Sequence, residues 1–158
     1  MSAGVLQATT RPAYVLLVED NHGDVLLTRR AFGQAKTANE LMVAASGEEA
    51  LEMLEKKGSF ADLPVPDLIL LDLNLPRMGG HMVLATIKQT PALRRIPVVI
   101  LSSSRAEQDV ISSYDLHANG YVVKPNTLEK FKSVVEKLEE FWFNLVVLPN
   151  SSDTKRIL

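Results

Sequence analysis

The run Leu68-Ile69-Leu70-Leu71 is apolar enough for a strand buried on both faces, yet Asp72 follows it directly. A carboxylate carried into such a setting without a partner costs several kcal/mol or keeps its proton, so Asp72 needs a counter-charge or a place at the strand's open end. Three other apolar runs also stop at reactive residues. Tyr14 to Val18 stops at Glu19-Asp20, Val98 to Leu101 at Ser102, and Tyr121 to Val123 at Lys124-Pro125. Singly, each has an ordinary explanation: Asp20 caps a helix, Asp72 begins a loop, Ser102 sits in a turn, Lys124 merely precedes a proline. Gathered at one place, three acids, a hydroxyl and a lysine form a different object.

Two carboxylates about 5 Å apart repel by roughly 3 kcal/mol at an effective dielectric of about 20, which pushes one pKa up by about two units. A divalent cation removes that repulsion. Oxygen-only ligands, few in number and with room left for waters and a phosphate, suit Mg²⁺ better than Zn²⁺ or a caged Ca²⁺. A carboxylate can itself attack phosphorus to give an aspartyl phosphate. Asp72, central among these positions, is the expected nucleophile, with Lys124 and Ser102 reaching the phosphoryl oxygens as ammonium and hydroxyl donors.

The elements that must position these residues are legible as an alternation. Continuous Val/Ile/Leu runs of four to six residues suit strands covered on both faces, and Leu41 to Ala45 is a weaker fifth run. Between them, Val25, Leu26, Thr28, Arg29 and Phe32 have helical spacing, and Ser46-Gly47-Glu48-Glu49 carries a capping-box pattern at a second helix start. The expected fold is a doubly wound α/β domain with five parallel strands and helices on both faces. Ligand sites of such sheets lie at the strands' carboxyl ends, which brings the four run endings to one edge.

Composition narrows the function further. The chain has 158 residues and a net charge of only -2, and it lacks the basic stripe expected of a nucleic-acid binder. There is no Cys, which fits a reducing compartment. Residues 1–13 lack the basic start and apolar core of a secretory signal and read as a loose tail. No segment approaches the roughly 18 apolar residues that would span a bilayer, so a soluble, cytoplasmic protein is expected. His22, His81 and His117 lie in different segments without ligand spacing, and surface or helix-start roles are expected for all three.

The acid pair in LLVEDN, the aspartate in LLDLNLPRMGG, the hydroxyl residue in VVILSSS and the lysine in GYVVKP together resemble the motifs of two-component response-regulator receiver domains, over roughly residues 14 to 143. The resemblance implies a flavodoxin-like fold with the strand order 2-1-3-4-5. It implies that Asp72 is the phosphoacceptor and that Asp20 and Asp72 bind Mg²⁺ by side chains, Asn74 by its carbonyl and Glu19 through water. It implies that Ser102 and Tyr121 act as the switch, and that Lys124 holds the phosphate before a cis peptide to Pro125. Asn74 and Ser104 would flank the path of the hydrolytic water. Two positions depart from the pattern: Glu19 stands where many receivers have Asp, and Asn126 where Phe is frequent. Asn126 to Glu129 fits a helix N-cap with Glu three residues on.

The function implied is a switch that takes phosphate from a partner histidine kinase and signals in a phosphorelay, assisting only its own phosphorylation and dephosphorylation rather than acting as an enzyme on an external substrate. A receiver-like docking module that never takes phosphate is an alternative. An aspartate-nucleophile Mg²⁺ phosphatase is a weaker one, because Asn74 occupies the position of the required general acid. The tail FWFNLVVLP is similar to that of the phytochrome-associated response regulators of cyanobacteria, implying a phytochrome-type kinase as partner. Leu128, Phe131, Val135, Leu138, Trp142 and Leu145 recur at helical spacing, and apolar residues then crowd the chain through Leu148. Such density marks an interface, so a homodimer is expected through Phe141, Trp142, Phe143 and Leu145. Residues 144–158 are read as an extension, interface first and flexible at its end. No output domain follows, so signalling is expected to run through contacts, including a possible downstream phosphorelay protein.

Overall fold

Alternating side chains along each central strand explain the layering. In the computed structural model, which describes residues 11–103 and 106–144, five parallel strands lie in the order β2-β1-β3-β4-β5. They are β1 Ala13–Val18, β2 Asn39–Ala44, β3 Leu68–Leu71, β4 Val98–Ser102 and β5 Gly120–Val123. Five helices connect and follow them: α1 His22–Gly33, α2 Gly47–Leu54, α3 Gly80–Gln89, α4 Glu107–Asp115 and α5 Leu128–Leu138. Leu16, Val18, Ile69, Leu71, Val98 and Ile100 face one core, closed by Ala50 and Met53 of α2 and Val83, Leu84 and Ile87 of α3. Their neighbours Val15, Leu17, Leu68, Leu70, Val99 and Leu101 face the other, closed by Ala31 and Phe32 of α1 and Phe131, Val135 and Leu138 of α5. Both faces are therefore apolar, as a doubly covered parallel sheet requires.

Local signals behave as their chemistry dictates, with small displacements. The Ser46 side chain accepts from Glu49 N at 3.1 Å, while the Glu49 carboxylate reaches back to Ala45 N at 2.7 Å, one residue before the cap itself. At α5 the cap is Thr127, whose hydroxyl accepts from Lys130 N at 3.2 Å. The expected cap at Asn126 is thus corrected by one residue, because Thr127 has the extended backbone that aims its oxygen at the first turn.

The expected loose tail also ends earlier than residue 13. Ala13 already belongs to β1, and Arg11 forks onto buried Asp67 with contacts of 2.7 and 2.8 Å. Asp67 in turn accepts from Tyr14 N at 2.9 Å, so the pair ties the chain entry to the foot of β1 and β3.

At the other end α5 stops at Leu138, and a π-helical turn spans Glu139–Asn144. Buried Glu139 accepts a hydrogen bond from Thr37 N in the connection between α1 and β2. Phe141 is 56% exposed. The side chains of Trp142 and Phe143, and Leu145 entirely, lie outside the described residues. Among the described residues no helix is long and apolar enough to cross a membrane.

Candidate functional site

The parallel ladder continues one residue beyond two strands and sets the site's floor. Glu19 N donates to Ala44 O at 3.0 Å and Asp72 N to Val18 O at 3.1 Å, so the acids following β1 and β3 lie on neighbouring tracks. Lys124 N donates to Ser102 O at 2.7 Å, which fixes the lysine after β5 beside the hydroxyl residue that ends β4. The fold thus gathers Glu19, Asp20, Asp72, Ser102 and Lys124 at one sheet edge.

Burial differs among them in a way that matters. Glu19 and Asp72 are 2% and 4% exposed and Ser102 is fully buried, whereas Asp20 and Asn74 face solvent. The question raised by Asp72 is answered twice over: it follows its strand at the open edge, and it has a counter-charge. Lys124 Nζ lies 2.7 Å from Glu19 Oε1, 2.9 Å from Asp24 Oδ2 and 3.4 Å from Asp72 Oδ2. Asp72 Oδ1 accepts from Asn74 N at 3.2 Å, and Glu19 Oε2 from Asn21 N at 3.2 Å.

The loop carrying Asn74 is held from beneath. Leu73 and Leu75 are buried, Gly80 N donates to Leu73 O at 3.0 Å, and Gly80 presses on the backbone of Asp72. A Cβ at position 80 would meet Asp72 O at 2.3 Å and Leu73 Cα at 2.6 Å, so only glycine permits this approach.

Two electrostatic shifts share a direction. Burial pushes the Glu19 carboxyl up to about 7, opposed by its hydrogen bond from Lys124 and reinforced by the nearby Asp72 charge. Burial alone would lower Lys124, but the hydrogen bonds to Glu19 and Asp24 and the charges of Glu19 and Asp72 overcome it and raise its pKa above the usual lysine range. Both groups hold protons longer than usual because this edge carries an excess of negative charge in a partly dry setting.

That excess is what a cation site requires. Glu19, Asp20 and Asp72 each offer a carboxylate oxygen within 4.8 Å of the other two, a hard all-oxygen set that fits Mg²⁺ or Mn²⁺ and not a thiophilic metal. The arrangement can hold a divalent cation, present one buried carboxylate to an electrophile and meet an anion with an ammonium.

One expected feature is not observed. Among the described residues no peptide bond is cis, so the bond from Lys124 to Pro125 is trans. The trans isomer is the lower-energy form of X-Pro by about 0.5–1 kcal/mol, and here it accompanies Lys124 turned toward Glu19 and Asp24. Tyr121 is half-buried and packs against the core containing Ile100. Ser104 lies outside the described residues. The histidines occupy the expected places: His22 opens α1, His81 lies in the first turn of α3, and His117 stands in the turn before β5.

Asp24 is the site residue that sequence reasoning missed. Its position in the first turn of the helix leaving β1 places it near this edge, but its partner lies 100 positions away. No local pattern shows that its side chain turns toward Lys124.

A five-stranded 2-1-3-4-5 sheet with acids, a hydroxyl and a lysine on its carboxyl edge defines a receiver module, and the chain belongs to the response regulator receiver domain family, whose pattern matches residues 15–148. It is 44% identical over 138 residues to response regulator Rcp1 of Synechocystis sp., covering 87% of this chain and 94% of that one. The structure of the phosphorylated cyanobacterial phytochrome response regulator RcpA superposes with a TM-score of 0.83 at 43% identity, covering 89% of this chain and all of that one. The Mn²⁺-bound form of Rcp1 superposes with a TM-score of 0.80 at 43% identity, over 87% and 99% of the two chains.

Proposed function

We propose that this response regulator accepts a phosphoryl group on Asp72 from the phosphohistidine of a partner kinase of phytochrome type. The observation that carries the proposal is the placement of Asp72, buried at the strand edge, with Glu19 and Asp20 beside it and the Lys124 ammonium 3.4 Å away. An Asp72 carboxylate oxygen forms the new bond to phosphorus while the P–N bond of the donor breaks and the leaving imidazole takes up a proton. Asp20 and Asp72 by side chain, Asn74 by carbonyl and Glu19 through water would hold Mg²⁺, which when bound offsets charge on the transferring group. The Mn²⁺-bound relative and the phosphorylated one support this reading.

Lys124 orients the phosphoryl oxygens by charge, and Ser102 donates its hydroxyl as Tyr121 turns inward. In the reverse step water attacks phosphorus and Asp72 leaves, along a path flanked by Asn74 and Ser104. The carboxylate's single charge is replaced by the larger charge of the phosphoryl group, a net gain of about one negative charge with three acceptor oxygens, which shifts the module between two states. It transmits them by contact, as a homodimer built on the last helix and the residues after it, to a downstream phosphorelay protein. The receiver unit is taken as residues 14–143 with its entry anchored at Arg11, the rest of the chain being tail and extension.

Acetyl phosphate with Mg²⁺, followed by intact-mass measurement, tests the central claim. One added phosphate that disappears in Asp72→Asn is the expected result. No phosphate from either acetyl phosphate or a phytochrome kinase would leave the docking platform as the reading.

A further inference from the structure

Lys124 is shared, and the share it gives Asp24 has a consequence for chemistry at Asp72. Its Nζ stands 2.9 Å from Asp24 Oδ2 and 3.4 Å from Asp72 Oδ2, so the ammonium lies closer to the helix acid than to the buried carboxylate it must serve. The Lys124 side chain is 10% exposed and that of Asp24 25%, which leaves this ion pair only partly screened. Asp24 has an ordinary role as well: its N–H donates to the cap residue Asn21 at 2.9 Å, and an acid in a helix's first turn complements the dipole. That role uses the backbone and a charge near the helix end. It does not require the side chain to reach across to the lysine after β5.

We propose that Asp24 is a positioning residue that holds the Lys124 ammonium away from Asp72 and slows entry of an anionic phosphoryl group. The inference rests on the reading of Asp72 as phosphoacceptor. Two effects act in the same direction. The ammonium must release Asp24 before it can turn fully to a phosphoryl oxygen, and the Asp24 charge repels a phosphoryl donor approaching the same edge. Asp24→Asn keeps the N–H to Asn21, the side-chain shape and the helix start while removing the repelling charge and reducing the ion pair to at most a neutral-acceptor hydrogen bond.

The test compares wild type, Asp24→Asn and Asp24→Glu for phosphorylation by acetyl phosphate in Mg²⁺ and for affinity toward beryllofluoride, a phosphoryl mimic that binds without turnover. Asp24→Asn is expected to be phosphorylated about fivefold faster and to bind beryllofluoride about fivefold tighter, an effect of the size of one partly exposed ion pair. Asp24→Glu, with its charge restored, is expected to fall back toward wild type. A merely structural Asp24 would give unchanged or slower reaction in the amide variant, and either outcome overturns the inference. If wild type itself takes neither phosphate nor beryllofluoride, the reading of Asp72 fails first and this inference with it. A wild type that reacts normally beside an unaltered Asp24→Asn removes the inference alone.

Discussion

At the scale of the residue, the site is held by an imbalance: Glu19, Asp24 and Asp72 meet one lysine, and Asp20 adds a further acid beside Glu19 and Asp72. Removing one negative charge from such a group stabilises the fold, so Asp72→Asn should raise stability by about 1 kcal/mol while abolishing phosphorylation. The gain should depend on pH in a specific sense. Glu19, raised to about 7, is largely protonated at pH 5 and ionised at pH 8, so its repulsion of Asp72 exists only at the higher pH. Denaturant titrations should therefore show a larger difference between wild type and Asp72→Asn at pH 8 than at pH 5. Equal differences at both would mean that Glu19 and Asp72 do not sense each other. Millimolar Mg²⁺ should raise the melting temperature of wild type by relieving the same repulsion, and Asp20→Ala should remove the effect. A melting curve indifferent to Mg²⁺, with no heat of binding in calorimetry, would contradict the ligand assignment.

At the scale of the element, Gly80 shows how α3 determines the geometry of the site. Because a methyl at position 80 would strike the backbone of Asp72 and Leu73, Gly80→Ala should cost about 1–3 kcal/mol or more and slow phosphorylation by displacing the Asp72 loop. Gly33, at the end of α1, has nothing within 4 Å of the corresponding position, and Gly33→Ala should stabilise by about 0.4–1 kcal/mol. Chemical denaturation of both variants, with acetyl phosphate labelling, checks the contrast. If Gly80→Ala folds and reacts as wild type does, the loop is not held from below. The elements are largely legible because strands covered on both faces must be continuously apolar, so the run Leu68 to Leu71 coincides with β3 and the reactive residues stand out where each run stops. Partners across the fold were not legible. Arg11 meets Asp67 at a separation of 56 positions and Lys124 meets Asp24 at 100, and neither short polar side chain carries a periodic signal of its destination. The cap of α5 lies at Thr127 and not at the neighbouring Asn126, because both residue types are competent caps and backbone geometry alone decides between them.

At the scale of the whole molecule, the last helix has finished its work for the core before the chain runs out of apolar residues. Phe131, Val135 and Leu138 fill the face shared with α1, and the core's contribution from this helix ends there. Glu139 then turns inward to Thr37 N, and the π-helical turn that begins with it presents Phe141 to solvent. Beyond that come Trp142, Phe143, Leu145, Val146, Val147 and Leu148. An apolar sequence of that density has to be kept from water, and a second copy of the same chain is the simplest cover because closed two-fold assemblies satisfy both partners at once. The α5 stem that would carry such an interface packs beside α1, the helix that supplies Asp24 to Lys124, so a phosphate on Asp72 would have a short path of packed elements to it. We therefore expect a homodimer in sedimentation at micromolar concentration, strengthened or rearranged by acetyl phosphate, and weakened when Trp142→Ala is combined with Phe143→Ala. Phosphorylation of Asp72 should survive that double change, since neither residue belongs to the site. A protein that sediments as a monomer at high concentration, with and without acetyl phosphate, would leave the tail to cover its own domain or to wait for the kinase, and repeating the run with the kinase present separates those two.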